Sequence, residues 1–355
     1  MNLNSAALDA AIRAGQDRAP FSGVVMLSRG DDVLFQGAYG LALRGEEIPN
    51  QMDTRFQTAS GCKAFTAAAI LQLVASGALS LDTPLLDVLG EYVPQFAGYA
   101  GVVQIRHLIT HTSGIADPFD EDLYPDYEAL WRDRPVYRMR RPADFLPMFT
   151  ADHLVFQPGE RFAYNNGGFV LLGVVVEQVS GQPFVDYVTR NVFAPAGMGD
   201  SGYFFADQLP GRVARAYIQN EDGAWRTNAY AVPIIGGGDG GAYTTAGDMR
   251  RFWRALMHGE LLAPEIAFHM MTRHVSTGQG FVANAYGLGV WIEQRGDAAH
   301  SVFVIGGDPG VAMRSEILGP PDAPWDSTLV LTMLGNTESA LWPLWREVVG
   351  MLGVG

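Results

Sequence analysis

Ser60 and Lys63, in the tetrapeptide Ser60-Gly61-Cys62-Lys63, set an alcohol and an amine three residues apart. On a helix that spacing is one face and about one turn. A serine hydroxyl is a weak nucleophile until a base takes its proton, and a partly desolvated lysine can be that base. A second pair stands in Phe162-Ala163-Tyr164-Asn165-Asn166-Gly167-Gly168. Tyr164 and Asn166, two residues apart, project the same way if the loop is extended. The phenol can relay a proton, and the amide can orient the lysine and a substrate amide. Each pair also has a plain structural reading: an N-cap serine before a solvated lysine, and a polar loop capping the next helix. On these residues alone both readings stand.

The elements around them favour chemistry. Phe56-Gln57-Thr58-Ala59 reads as a short extended lead-in, and Ala64 to Val74 is rich in strong helix formers. Ala67, Ile70, Leu71 and Val74 fall at helical spacing and predict one buried stripe. Gly77 then stops the helix as a C′ glycine. Ser60 is thereby predicted at or near a helix N-terminus, where unpaired amides and the dipole favour a developing oxyanion. Pro158-Gly159 turns the chain into the Tyr164 loop, and Phe169 to Val179 reads as a helix after it.

Around this centre the chain reads β, then mostly α, then β. Phe21–Ser28 and Val33–Tyr39 alternate and are joined by the turn Arg29-Gly30-Asp31-Asp32. Strand-like runs return at Tyr286–Glu293, His300–Ile305, Val311–Leu318 and Ser327–Leu334, followed by an amphipathic helix, Leu341 to Leu352. The expectation is an α/β (α+β) fold: a five-stranded antiparallel sheet flanked by helices, with a helical lobe inserted. Residues 1–59 and 272–355 would form the discontinuous sheet lobe and 60–271 the helical lobe, with the site between them.

Composition narrows the function. A formal charge of −14 over 355 residues argues against nucleic acid as a partner. One cysteine excludes an internal disulfide framework and a zinc-type cysteine pattern. The first residues form an amphipathic pattern to about Ala14 and not a signal peptide, and no apolar run reaches the ~18 residues of a membrane span. The expectation is a cytoplasmic protein acting on a small molecule or peptide, with no membrane partner, no metal and no cofactor.

Several motifs imitate other chemistry. Gly199-Asp200-Ser201-Gly202 and Ala298-Ala299-His300-Ser301 copy trypsin-like protease signatures, but in reversed order, so a structural turn is expected at Ser201. His107 and His111 have a zinc-like i, i+4 spacing without the glutamate or third ligand, which predicts buried structural histidines. Gly236 to Gly241 lacks the Lys-Ser/Thr of a phosphate cradle and reads as a flexible loop near the cleft. Cys62 is expected as a small buried residue. Asp117 to Arg141 carries acidic and aromatic residues, then arginines. It reads as a solvated surface with aromatic anchors, or as a specificity lid using Tyr124, Tyr127 and Trp131.

Taken in order, the motifs resemble a known family. They are S-x-x-K at Ser60, Ile105 to Gly114 with His111-Thr112-Ser113-Gly114, and Tyr164-x-Asn166 within Pro158 to Gly181. Phe193 to Met198, Gly240 to Met249 and Tyr286-Gly287-Leu288-Gly289 follow. From about Phe21 onward the chain is similar to serine hydrolases of the class C β-lactamase, D,D-peptidase and family VIII esterase type. The resemblance implies a β-lactamase/transpeptidase-like fold and a Ser60 acylated by an ester, amide or lactam substrate. It implies that Lys63 and Tyr164 share acid and base duties and that Asn166 positions. The Ser60 amide would form half of the oxyanion hole.

The third motif departs. Val304-Ile305-Gly306-Gly307-Asp308-Pro309-Gly310 keeps the glycines and the Pro-Gly, so Gly306 and Gly307 are expected at the substrate and oxyanion side. Val304 stands where the family shows Lys or His. His300 is four residues away, about 13 Å by strand rise, and cannot replace it. The missing cation argues against β-lactam turnover and leaves ester or amide hydrolysis. The alternative is a catalytically retired fold that binds a peptide or cell-wall fragment.

Overall fold

The residues that alternate most clearly build one sheet. In the computed structural model, which describes residues 5–15, 20–90, 92–99, 101–120, 127–278, 282–296, 298–338 and 340–353, the first hairpin is β1 (Gly23–Arg29) and β2 (Asp32–Tyr39). The remaining strands are β3 (Val275–Ser276), β4 (Ala285–Tyr286), β5 (Trp291–Arg295), β6 (Ala298–Asp308), β7 (Val311–Leu318) and β8 (Leu329–Gly335). They pair antiparallel in the order β2-β1-β8-β7-β6-β5-β4-β3. The sheet thus has eight strands where the sequence predicts five. The run expected as one strand, Tyr286–Glu293, is a hairpin instead. Gly287 N–H donates to Val290 O, and Gly289 turns the chain with φ +80°. That turn presses on the helix carrying Lys63: a Cβ at Gly289 would lie 2.4 Å from Ala67 Cβ.

The sheet has helices on both faces. On one, α1 (Ser5–Gly15) and α5 (Leu341–Leu352) place Leu8, Ile12, Leu341, Leu344 and Val348 against Val25, Leu27, Leu331 and Met333. The other face carries the main core, where Val24, Val302, Val304 and Met313 meet α2 (Lys63–Ala75), α3 (Asn166–Ser180) and α4 (Ala246–Met257). Buried apolar side chains of this size each stabilise by roughly 1.5–3 kcal/mol relative to exposure.

Helix α2 is buried on nearly all sides, from Lys63 through Leu71, and not along the single stripe expected. Val74, one of the four predicted stripe residues, is partly exposed. An all-round apolar helix belongs inside the molecule, and Phe65 here packs edge-on to Phe193 and Phe252. Gly77 ends it with φ +76°, as the glycine predicts. Among the described residues no single helix is long and apolar enough to cross a membrane.

Candidate active site

Ser60 sits in a single 3₁₀ turn, Ala59–Cys62, running directly into α2. The lead-in is extended only at Phe56–Gln57, which pair with Tyr243–Thr244. Thr58 is already helical, and Ala59 adopts a left-handed φ of +44°, an uncommon conformation for alanine. This sharp entry lies against β6. A Cβ at Gly306 would fall 2.0 Å from Thr58 O, and one at Gly61 would fall 2.1 Å from Met313 Sδ. Gly306 is demanded by backbone atoms, whereas Gly61 faces the flexible Met313 side chain. Gly307, the next residue on β6, is exposed and lines the cleft beside Ser60.

Lys63 is 2% exposed, and its Nζ lies 2.9 Å from Ser60 Oγ, 2.8 Å from Asn166 Oδ1 and 2.5 Å from the backbone oxygen of Asp239. Two of these partners are carbonyl oxygens and can only accept. A neutral amine has two N–H groups and one lone pair. In the neutral form, with both N–H groups taken by Asn166 and Asp239, the lone pair would face the serine. Burial lowers the Lys63 pKa against the opposing pull of the Asp239, Asp308 and Asp117 carboxylates.

Tyr164 lines the cleft with Ser60, and burial holds its phenol well above the usual range. It is protonated at neutral pH and so is a donor. Its ring stacks on Trp291 at 5.9 Å and rests 4.4 Å from the His111 ring. His111 is buried and neutral: desolvation first, then the nearby Lys63, pushes its pKa well down. Its Nδ1 accepts from Asn165 N–H at 3.0 Å, so Nε2 carries the proton and donates to Tyr286 Oη at 3.2 Å.

Asn166 opens α3. Asn165 is the N-cap, accepting from Gly168 N–H, and the Asp117 carboxylate takes the N–H groups of Asn166 and Gly167 at 2.7 and 3.0 Å. Burial raises Asp117 to about 6 despite these bonds.

The imitating motifs resolve into structure. Ser201 Oγ donates to Asp248 Oδ2 at 2.7 Å and also meets Thr244 Oγ1. His107 is only partly buried, and its Nδ1 accepts from Gln104 N–H, closing a helix cap. The Cys62 thiol is buried, with its pKa pushed up to about 12 by desolvation. The 236–241 loop is tightly packed where a flexible one was expected: a Cβ at Gly238 would lie 2.2 Å from Phe169 O. Its carbonyls at Gly238 and Asp239 accept from Thr66 and Lys63. Tyr124 lies outside the described residues. Tyr127 and Trp131 line the cleft that holds Ser60, with Phe119 and Phe145. Trp131 is also buried, donating from Nε1 to Ala231 O. Val304 is buried in the core and does not reach the cleft.

Sequence reading missed Asp117, His111 and the Asp239 carbonyl as parts of the site. Asp117 has a local bond, accepting from Phe119 N–H, but its bonds to Asn166 and Gly167 join residues 49 and 50 apart in sequence. The other two act through contacts that no local pattern announces.

A serine, a desolvated lysine and a tyrosine meeting between an antiparallel sheet and a helical body define a serine-hydrolase type of site. Residues 8–340 match the family described as Beta-lactamase, and the chain belongs to that family, whose members are serine hydrolases. Penicillin-binding protein 4* of Bacillus subtilis is 29% identical over 83% of this chain and 64% of its own length. Esterase EstB of Burkholderia gladioli is 36% identical over 60% of this chain and 54% of its own. The chain therefore spans less than two thirds of either relative. The crystal structure of a penicillin binding protein from Bacillus halodurans superposes with a TM-score of 0.86 at 44% identity, over 96% of this chain and 99% of that one. A D-amino acid amidase from Ochrobactrum anthropi shares the fold, with a TM-score of 0.74 at 22% identity.

Proposed function

We propose that this chain hydrolyses an ester or amide through an acyl-enzyme on Ser60, at the junction of the sheet lobe (1–59, 272–355) and the helical lobe (60–271). The observation that carries this reading is the arrangement at Lys63. Two carbonyl acceptors engage its N–H groups while Ser60 Oγ lies 2.9 Å away. Lys63 takes the Ser60 proton as Oγ attacks the substrate carbonyl. The Ser60 and Gly307 amides stabilise the oxyanion. The Tyr164 phenol donates to the departing alcohol or amine and is reprotonated from Lys63. Water, deprotonated by Lys63, then attacks the acyl carbonyl, and the Lys63 proton passes to Ser60 Oγ as the acyl C–Oγ bond breaks. Asn166 fixes the lysine, and Gly306 lets β6 approach the nucleophile turn. Relatives that include an esterase and penicillin-binding proteins agree with acyl transfer, and Val304 in place of a cation argues against β-lactam turnover.

The test is p-nitrophenyl butyrate hydrolysis together with fluorophosphonate labelling read by intact mass and peptide mapping. Ser60→Ala and Lys63→Ala should each lose at least ~10³-fold in kcat, and Ser60→Ala should take up no label. Ser60→Ala activity within ~10-fold of the parent would overturn the assignment.

A further inference from the structure

The cleft above Ser60 is lined by two unlike groups of residues. One is aromatic, with Trp131, Tyr127 and Phe145 among its residues. The other carries Asp239, from the glycine loop, and Asp308, which directly follows Gly307 on β6. These are the only ionisable carboxylates among the described lining residues, and no Lys, Arg or His side chain lines the cleft with them. Both carboxylates line the same cleft as Ser60, and both act electrostatically on Lys63. The position that supplies a cation in the resembling family is the buried Val304. With both carboxylates ionised the field a substrate meets beside the nucleophile is negative; burial raises the Asp239 pKa against the pull of Lys63. An anionic substrate group would enter against two carboxylates, whereas an ammonium would be attracted to them and to the faces of the aromatic wall.

We propose that Asp239 and Asp308 select substrates bearing an ammonium close to the scissile carbonyl, as in an amino-acid ester or amide with a free amine. This rests on the reading of Ser60 as the nucleophile, and the aromatic side would take an apolar side chain of the same acyl group. Asp239 and Asp308 are specificity residues in this scheme. They hold the ammonium and exchange no proton with it.

The experiment compares three methyl esters by product release: phenylalanine methyl ester in both enantiomers, methyl 3-phenylpropanoate, which lacks the amine, and N-succinyl-phenylalanine methyl ester, which is anionic. Assays run below the amine's pKa, on the parent chain and on Asp308→Asn and Asp239→Asn/Asp308→Asn. The parent should favour one ammonium ester over the neutral ester by at least ~10-fold in kcat/KM and disfavour the anionic one. The double variant should bring the ammonium-to-neutral ratio to within ~3-fold of unity, with Asp308→Asn between. Because the ratio is read, any change in Lys63 common to all substrates cancels. A parent preference for the neutral or anionic ester overturns the proposal, as does a ratio unmoved by the double variant. Fluorophosphonate labelling of Ser60 separates the two failures. Label without ammonium preference, or without turnover of any of these esters, overturns only the selectivity. No label overturns the hydrolase reading beneath it.

Discussion

Gly306→Ala strains the proposed chemistry at one defined point. Its Cβ would lie 2.0 Å from Thr58 O and 3.0 Å from Gly61 N. Ordinary contact starts near 3.4 Å, so β6 and the nucleophile turn must part by about 1.4 Å, the difference between 3.4 and 2.0. Both obstructing atoms are backbone, and no rotamer change relieves them. The movement separates Ser60 from Gly307, the two proposed oxyanion donors. A displacement of about 1 Å in an active site can cost ~10²-fold, and losing one oxyanion donor costs ~10²–10³-fold. We expect kcat/KM for p-nitrophenyl butyrate to fall by ~10²–10³. Overpacking of this kind costs about 1–3 kcal/mol, which lowers Tm by roughly 2–10 °C and leaves the chain folded at assay temperature. Gly307→Ala is the steric contrast, since a Cβ there meets nothing within 4 Å; it should leave Tm within about 2 °C. Steady-state kinetics beside scanning calorimetry decides. A folded Gly306→Ala enzyme that loses less than ~3-fold would refute the claim that this approach sets the oxyanion geometry.

Asp239→Asn removes a negative charge that raises the Lys63 pKa, so the acidic limb of kcat/KM against pH, measured on a neutral ester, should move to lower pH; an upward or absent shift contradicts the assignment of Lys63 as base. For Asp117 the folded-state pKa, about 6, lies above the ordinary aspartate value of 3.8. The folded protein therefore holds this proton more tightly than the unfolded chain, and the contribution is fully present below the unfolded value and lost as pH rises through the folded one. In guanidinium titrations the stability of Asp117→Asn relative to the parent should accordingly rise between pH 4 and pH 7, and a falling difference would exclude the raised pKa. Tyr127→Ala should change relative kcat/KM among esters of increasing acyl size by several-fold with little change in Tm, since Tyr127 is only partly buried; equal effects on every ester would remove it from the specificity wall. Trp131→Ala, by contrast, should cost about 3–5 kcal/mol of stability, because the indole is buried and hydrogen-bonded.

What could be read from the residues was what period and spacing encode. The first hairpin, the strands at 298–318 and 329–335, the closing helix and the Ser60–Lys63 pair all follow from repeats of two residues or of three to four. The 285–295 hairpin was hidden because Tyr286-Gly287-Leu288-Gly289-Val290-Trp291 stays apolar through its turn, and only the left-handed Gly289 separates the two strands. The 236–241 loop looked loose because glycines permit many conformations; its actual shape is set by Phe169 and Gly173 pressing on Gly238. The Asp239 carbonyl was illegible for a related reason. Every residue has a carbonyl, and only the tertiary approach decides which one meets the lysine. Tyr127 and Trp131 were recognised as aromatic anchors, but their place beside Ser60 depends on a chain of 3₁₀ turns with no strong period.

The electrostatics of the cleft connect the missing cation to the two carboxylates. A positive group at position 304 would lower the Lys63 pKa by like-charge repulsion. Val304 supplies none, and Asp239, Asp308 and Asp117 all act to keep the proton on the amine. The pKa is lowered nevertheless, so desolvation outweighs these opposing influences, and the proposed base depends on the dryness of its surroundings more than on a partner cation. A substrate that fills the aromatic side excludes water and strengthens that effect. An ammonium placed against Asp239 and Asp308 offsets the carboxylate field and repels the lysine's own proton. The proposed substrate would thus supply, on binding, the positive charge that the sequence lacks at Val304. An acidic cleft and a working lysine base are then compatible, because the occupied site is less negative than the empty one.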